Sequence, residues 1–214
     1  MYRLYVERRA GFENEARSYL SQINGFLGIS SVTGVRYFNR YDIENVSDEV
    51  AKIAATRIFS EPQSDYVTFE ELPNENKDTE IIWEFLPGQY DQRADSAEQC
   101  ISLLRAGLKN VSTMKEAPVV RCAKIVRLAG NVSKDEITKI QNYLINPVDS
   151  RLTDDSKPET LKMQLENPAD IPVVEGFIKF NDSELEDYRN KMGLAMDHAD
   201  IKFLQDYFIG EKRD

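Results

Sequence analysis

At 214 residues the chain has room for one large domain or two small ones. Its apolar content of 41%, with 10 Tyr and 10 Phe, is enough to build a real core. Acidic residues outnumber basic ones 37 to 27, a formal charge of -10; that excess repels phosphate backbones and argues against a nucleic-acid partner.

The first strand candidate is Tyr2 to Arg9. Its arginines, Arg3, Arg8 and Arg9, have no apolar stretch behind them, so the segment does not read as a secretory signal. Gly11 leads into a helical pattern with Phe12, Ala16, Tyr19, Leu20, Ile23 and Leu27 in phase, and Gly28 is placed to stop it. Val35 to Ile43 predicts a second strand. Ser47 can cap the next helix, Asp48 and Glu49 suit its positive end, and Pro62 lies just beyond it. Tyr66 to Phe69 is a third short strand, and Leu72 to Asp78 a polar loop.

The same order then recurs. Glu80 to Leu86 predicts a strand, and Asp91 to Leu104 a helix with Ala94, Ala97, Ile101 and Leu104 on one side. Val119 to Leu128 predicts a strand. Ser133 caps a helix striped by Ile137, Ile140 and Leu144, and Pro147 closes it. Letters match too. Glu7 to Gly11 aligns with Glu84 to Gly88, Asn45-Val46-Ser47 with Asn131-Val132-Ser133, and Lys52-Ile53 with Lys139-Ile140. The expectation is a duplicated strand–helix–strand–helix–strand unit of the α+β class, with antiparallel sheets and helices on one face. The halves span about 1–72 and 79–152, and would pack about a pseudo-two-fold.

Residues 153–172 read as a Pro-rich connector, mobile near 153–160. Val173 to Phe180 predicts a strand. Asp182 or Ser183 would cap a helix that Gly193 stops. A last helix from about Asp197 puts Ile201, Leu204 and Phe208 on one face. Nothing later in the sequence covers that face, so 173–214 is expected to belong to a longer parent. No apolar run approaches the roughly 20 residues that span a bilayer, and a reducing cytoplasm is the expected setting.

Chemistry-bearing residues are sparse. Cys100 and Cys122 lack CxxC spacing and read as buried structural thiols. His198, the one histidine, sits in what looks like an exposed first turn. No phosphate-binding glycine motif occurs. Asp91, Asp95 and Glu98 could share a helix face, but acidic first turns ordinarily compensate the helix dipole. The densest polar stretch is LPGQYDQRADSAEQC at 86–100. A helix start needs one cap, and this one carries Gln89, Asp91, Gln92, Arg93, Asp95 and Ser96. Those six are the candidate interdomain interface; no catalytic, cofactor or metal residue is assigned.

Several of these stretches, VERRAGFENEA, VRYFNRYDIE, IFSEP, LPGQYDQRADSAEQCISLL, NYLINPVDSR, KPETL and GLAMDHADIKFLQDYF before EKRD, resemble the amino-terminal part of the large, single-chain phosphoribosylformylglycinamidine synthase. The resemblance runs from Tyr2 to Asp214. It implies a parent amidotransferase of purine biosynthesis that converts formylglycinamide ribonucleotide to the amidine with glutamine and ATP. In that family a Cys-His-Glu triad frees ammonia, and a synthetase region uses ATP and magnesium. It also implies that residues 1–152 are similar to a dimer of the small PurS subunit, bridging the synthetase and glutaminase domains, and that 173–214 begins a linker. Cys100 and Cys122 do not sit in a glutaminase nucleophile turn, and His198 matches no catalytic position of the family. The chain alone is therefore expected to be inactive, with no cofactor of its own. Two competing readings are a free-standing small-molecule-binding regulatory module and a hydrolase using Asp91, Asp95 or His198.

Overall fold

The computed structural model describes residues 1–72, 78–108, 116–162 and 169–213. The polar loop expected at 72–78 falls largely on residues 73–77, outside that set, as do Pro168 and Asp214. The chain divides into two compact units, Met1–Gln164 and Leu165–Asp214.

The first unit runs β1 (Tyr2–Arg8), α1 (Asn14–Ser21, continuing as a π turn over Gln22–Phe26), β2 (Val32–Glu44), α2 (Asp48–Arg57) and β3 (Asp65–Phe69). It then runs β4 (Thr79–Phe85), α3 (Gln92–Gly107), β5 (Val119–Gly130), α4 (Lys134–Leu144) and β6 (Ser150–Thr153). The class is α+β. One six-stranded sheet in the order β3-β1-β2-β5-β4-β6 carries all the strands, every pair antiparallel. The expectation of separate sheets is corrected here. Two three-stranded sheets would leave the long strands β2 and β5 as open edges. Instead they pair from Val32↔Gly130 to Glu44↔Val119, and the short β3 and β6 are left at the rims.

Alternation along the strands sorts the side chains. Leu4, Val6, Tyr41 and Ile43 pack with Val50 and Ala54 of α2 and Ala97 and Ile101 of α3. Tyr37, Ile81, Trp83, Val126 and Leu128 pack with Ala16 of α1 and Ile140 of α4. All four helices thus cover one face. The opposite face holds a small apolar cluster, Tyr5, Phe38, Ile82, Ala123 and Ile125. Around it lie the buried ionic side chains Arg3, Arg40, Asp42, Glu84 and Arg127.

The segment after β6 closes that second face, although the sequence reads it as a mobile connector. Arg3 binds Asp42 in a fork, Nε to Oδ1 at 2.5 Å and Nη2 to Oδ2 at 2.9 Å. The strap supplies the second carboxylate: Asp155 accepts from Arg40 Nη1 at 3.0 Å and from Tyr5 Oη at 2.8 Å. Carbonyls of Asp154, Asp155 and Ser156 accept from Arg40 and Arg3. Farther on, Lys157 pairs with Glu70, and Glu44 accepts from Thr160 Oγ1 and Leu161 N. Two buried guanidiniums need this anchoring, because one buried carboxylate does not balance them.

In the second unit, the strand expected at Val173 to Phe180 is instead a 3-10 turn over Phe177–Lys179. Gly176 enters it at φ 80, a conformation that ends any extended run. Phe177 is thereby driven into a core with Leu185 of α5 (Asp182–Met192) and Ile201 of α6 (His198–Glu211). Asn181 caps α5 in place of Asp182 or Ser183, through a box with Glu184. On α6 the buried stripe is Ile201 and Gln205, with Leu204 37% exposed. Gln205 occupies a core position because its amide donates to the Phe177 and Phe180 carbonyls at 3.0 and 2.8 Å.

Asp155→Ala should lower the stability of the first unit by about 2–3 kcal/mol, less than for a fully buried partner because Asp155 keeps some solvent. Urea unfolding followed by the fluorescence of Trp83, the single tryptophan, measures it. A change near zero would mean that the strap is held by something other than this carboxylate.

Candidate functional site at the start of the third helix

The polar stretch at 86–100 begins where β4 leaves the sheet. Leu86 N donates to Asp149 O at 2.8 Å, tying the strand end to the turn before β6. Gly88 turns at φ 88, and Gly11 does the same at φ 92 before α1. Such values suit glycine and let the chain reverse from strand to helix within a few residues. Asp91 is the N-cap of α3, accepting from Arg93 N at 3.0 Å and Ala94 N at 3.1 Å.

Beyond the cap the side chains diverge. Arg93 is exposed as a residue, while its Nη1 donates to the Tyr41 hydroxyl at 3.0 Å. Burial pushes the Tyr41 phenol above its ordinary pKa, so it stays neutral beside Arg93. Asp95 turns the other way, accepting from Tyr90 Oη at 2.9 Å and Gln99 Nε2 at 2.8 Å. Glu98 accepts from Val120 N at 2.8 Å, pinning α3 to β5. Asp91, Asp95 and Glu98, weighed above as a possible metal set, thus serve three separate local tasks.

A cleft of about 590 Å³ opens beside this helix start. Of the six sequence candidates it gathers Asp91, Gln92, Arg93 and Ser96. Gln89 stays exposed on the turn and Asp95 faces Tyr90, so neither lines the cleft. Sequence reasoning missed the other wall: Asn39, Trp83, Cys122 and Lys124. The alternation Val120, Cys122, Lys124, Val126, Leu128 could have flagged it, since it places a lysine in an otherwise apolar inward row.

Expectations for the thiols and histidine divide. Cys100 is exposed on α3, correcting its reading as a buried thiol, because it lies off the Ala97–Ile101 stripe. Cys122 is part-buried, and burial, helped by the Asp91 carboxylate, pushes its thiol well up. It is therefore held as the poorly nucleophilic thiol. His198 opens α6, half-exposed, with Nδ1 2.8 Å from Glu186 Oε1. It belongs to the second unit and Asp91 and Asp95 to the first.

No protein-family model matches this chain, and no curated protein matches its sequence.

Replacing the cap, Asp91→Ala, should destabilise the first unit by about 1 kcal/mol, with Asp91→Ser restoring most of the loss. Thermal melts of the two variants read the difference. At pH 8, an aromatic disulfide reagent should modify Cys100 rapidly and Cys122 only on a much slower phase. Equal rates would contradict the protonated state of Cys122.

Proposed function

We propose that the chain is the amino-terminal, noncatalytic assembly domain of a large phosphoribosylformylglycinamidine synthase, bridging its synthetase and glutaminase domains. The observation that carries this reading is the strand order. Matching β1, β2, β3 to β4, β5, β6 makes the sheet read the same from either rim. That pattern supports a duplicated, PurS-dimer-like unit. The paired turns at Gly11 and Gly88 and the paired caps Ser47 and Ser133 support it further.

On this reading the exposed polar side chains of 89–96 dock a neighbouring domain, and bond-making happens elsewhere in the parent enzyme. ATP and magnesium belong to that parent, which works in the cytoplasm. Among the described residues no helix is long and apolar enough to cross a membrane. The acidic balance of the chain disfavours nucleic acid. The second reading, a small-molecule-binding regulatory module, is favoured by the cleft at the start of α3. The third, a hydrolase using Asp91, Asp95 or His198, is not favoured by a specific observation: Asp91 and Asp95 accept local hydrogen bonds, and His198 pairs with Glu186.

Mixing the chain with the remaining synthetase and glutaminase portion of such an enzyme tests the assembly role. A complex should form on size exclusion, and glutamine-dependent amidation should reappear. The chain alone should turn over neither glutamine nor ATP. Changing Gln89, Gln92 and Ser96 together to alanine should weaken the complex by roughly tenfold, the scale of a central polar cluster. No complex and no restored activity would refute the role.

A further inference from the structure

Lys124 lies near the middle of the sheet and faces the helix layer. Its cross-strand neighbours are Asn39 of β2 and Trp83 of β4. The rest of its inward row is apolar or thiol, and Lys124 itself is part-buried. Its ammonium has no hydrogen bond or ion pair with any other described residue. A lysine in such a position is ordinarily paired, because desolvating an ammonium without an anion is costly.

The cleft over Lys124 is rich in unspent donors. Asn39 Oδ1 accepts from Tyr37 Oη at 3.1 Å, which leaves its NH2 group available. Arg93 uses Nη1 on Tyr41, and Gln92 and Ser96 stand on the same wall. The two carboxylates of the lining are already engaged. Glu84 is held by Arg151 at 3.0 and 2.7 Å, and Asp91 caps α3. At the mouth, the Tyr90 ring is 71% exposed, with its hydroxyl fixed by Asp95. The volume, about 590 Å³, falls in the range of small-molecule sites.

A second cleft lies at the start of α1, the counterpart position in the first half. It is smaller, about 250 Å³, and Glu7, Glu13 and Glu15 line it together with Arg8 and Arg36. Both arginines there are already engaged, Arg36 by Glu7 and Arg8 by Asp65, so the cleft at the start of α3, with Lys124, is the better placed of the two to take an anion.

We propose that the cleft at the start of α3 binds one small molecule that carries an oxyanion, phosphate or carboxylate, on a planar body. Lys124 and Arg93 hold the oxyanion, Asn39, Gln92 and Ser96 complete its hydrogen bonds, and the Tyr90 ring lies against the plane. The proposal does not depend on the assembly role, since the site is complete within the first unit.

Trp83, adjacent to Lys124 across the β4–β5 pair, is the single tryptophan and reports on the cleft. The full chain is titrated with phenyl phosphate, benzoate and inorganic phosphate while Trp83 emission is followed. Phenyl phosphate or benzoate should give a saturable change at one molecule per chain, and the tighter of the two identifies the oxyanion. Inorganic phosphate, lacking the plane, should bind at least several-fold more weakly. Lys124→Gln should weaken binding by roughly tenfold or more, the loss expected for a charged hydrogen bond, and Lys124→Arg should retain it. Arg93→Gln gives an independent second variant should Lys124→Gln fail to fold. The proposal is overturned if neither aromatic anion gives a saturable change up to about 10 mM. Unchanged affinity in folded Lys124→Gln, or in Arg93→Gln, overturns it equally.

Discussion

Pairing of β2 with β5 is the constraint on which the first unit depends. Each is the longest strand of its half, and each is flanked on its far side by the first strand of that half. Left apart, both would present a long row of unpaired amides and carbonyls. Joined, they make a continuous sheet whose rims are only β3 and β6. The seam also decides which side chains meet. Asn39 and Lys124 face each other across it, as do Tyr41 and Cys122. The polar wall of the cleft is therefore a product of this register. A slip of one residue would send Lys124 to the other face of the sheet.

The sheet's two faces are solved by different physics. On the helix side, burial is apolar, and α1 to α4 close over it with small residues such as Ala16, Ala54, Ala94 and Ala97. On the far side none of the described helices of the first unit packs. Arginines replace bulk hydrophobes there, and each must find carboxylates or carbonyls. Arg3 takes Asp42, Arg127 takes Glu80, and Arg40 leans on the strap at 154–156. A polar connector thereby becomes a structural layer. Geometry is what makes it one, since carbonyl and carboxylate oxygens are delivered in line with two forks of donors.

The start of α3 shows how a local motif and a tertiary site overlap without coinciding. Asp91 acts through its own helix, as any N-cap does. Asp95 and Glu98 look like a cluster along the chain, yet they separate in space toward Tyr90, Gln99 and Val120. Gln92, Arg93 and Ser96 point with Lys124 into shared space. What the stretch can do chemically therefore comes from its neighbours on β2 and β5.

From the sequence by itself came the α+β class, most element positions, the serine caps at 47 and 133, and the polar stretch at 86–100. Each is written in short-range chemistry: apolar period, capping hydroxyls, and glycines at turns. The four-residue β6 left no periodic trace, and Phe177 sits in a turn because Gly176 and the core of its unit outweigh a β-prone run. Only the tertiary structure merged the halves into one sheet, fixed the strap to Arg3 and Arg40, buried Gln205, and set Lys124 opposite Asn39. Those outcomes rest on partners far apart along the chain, and no local pattern specifies which distant donor will meet which acceptor.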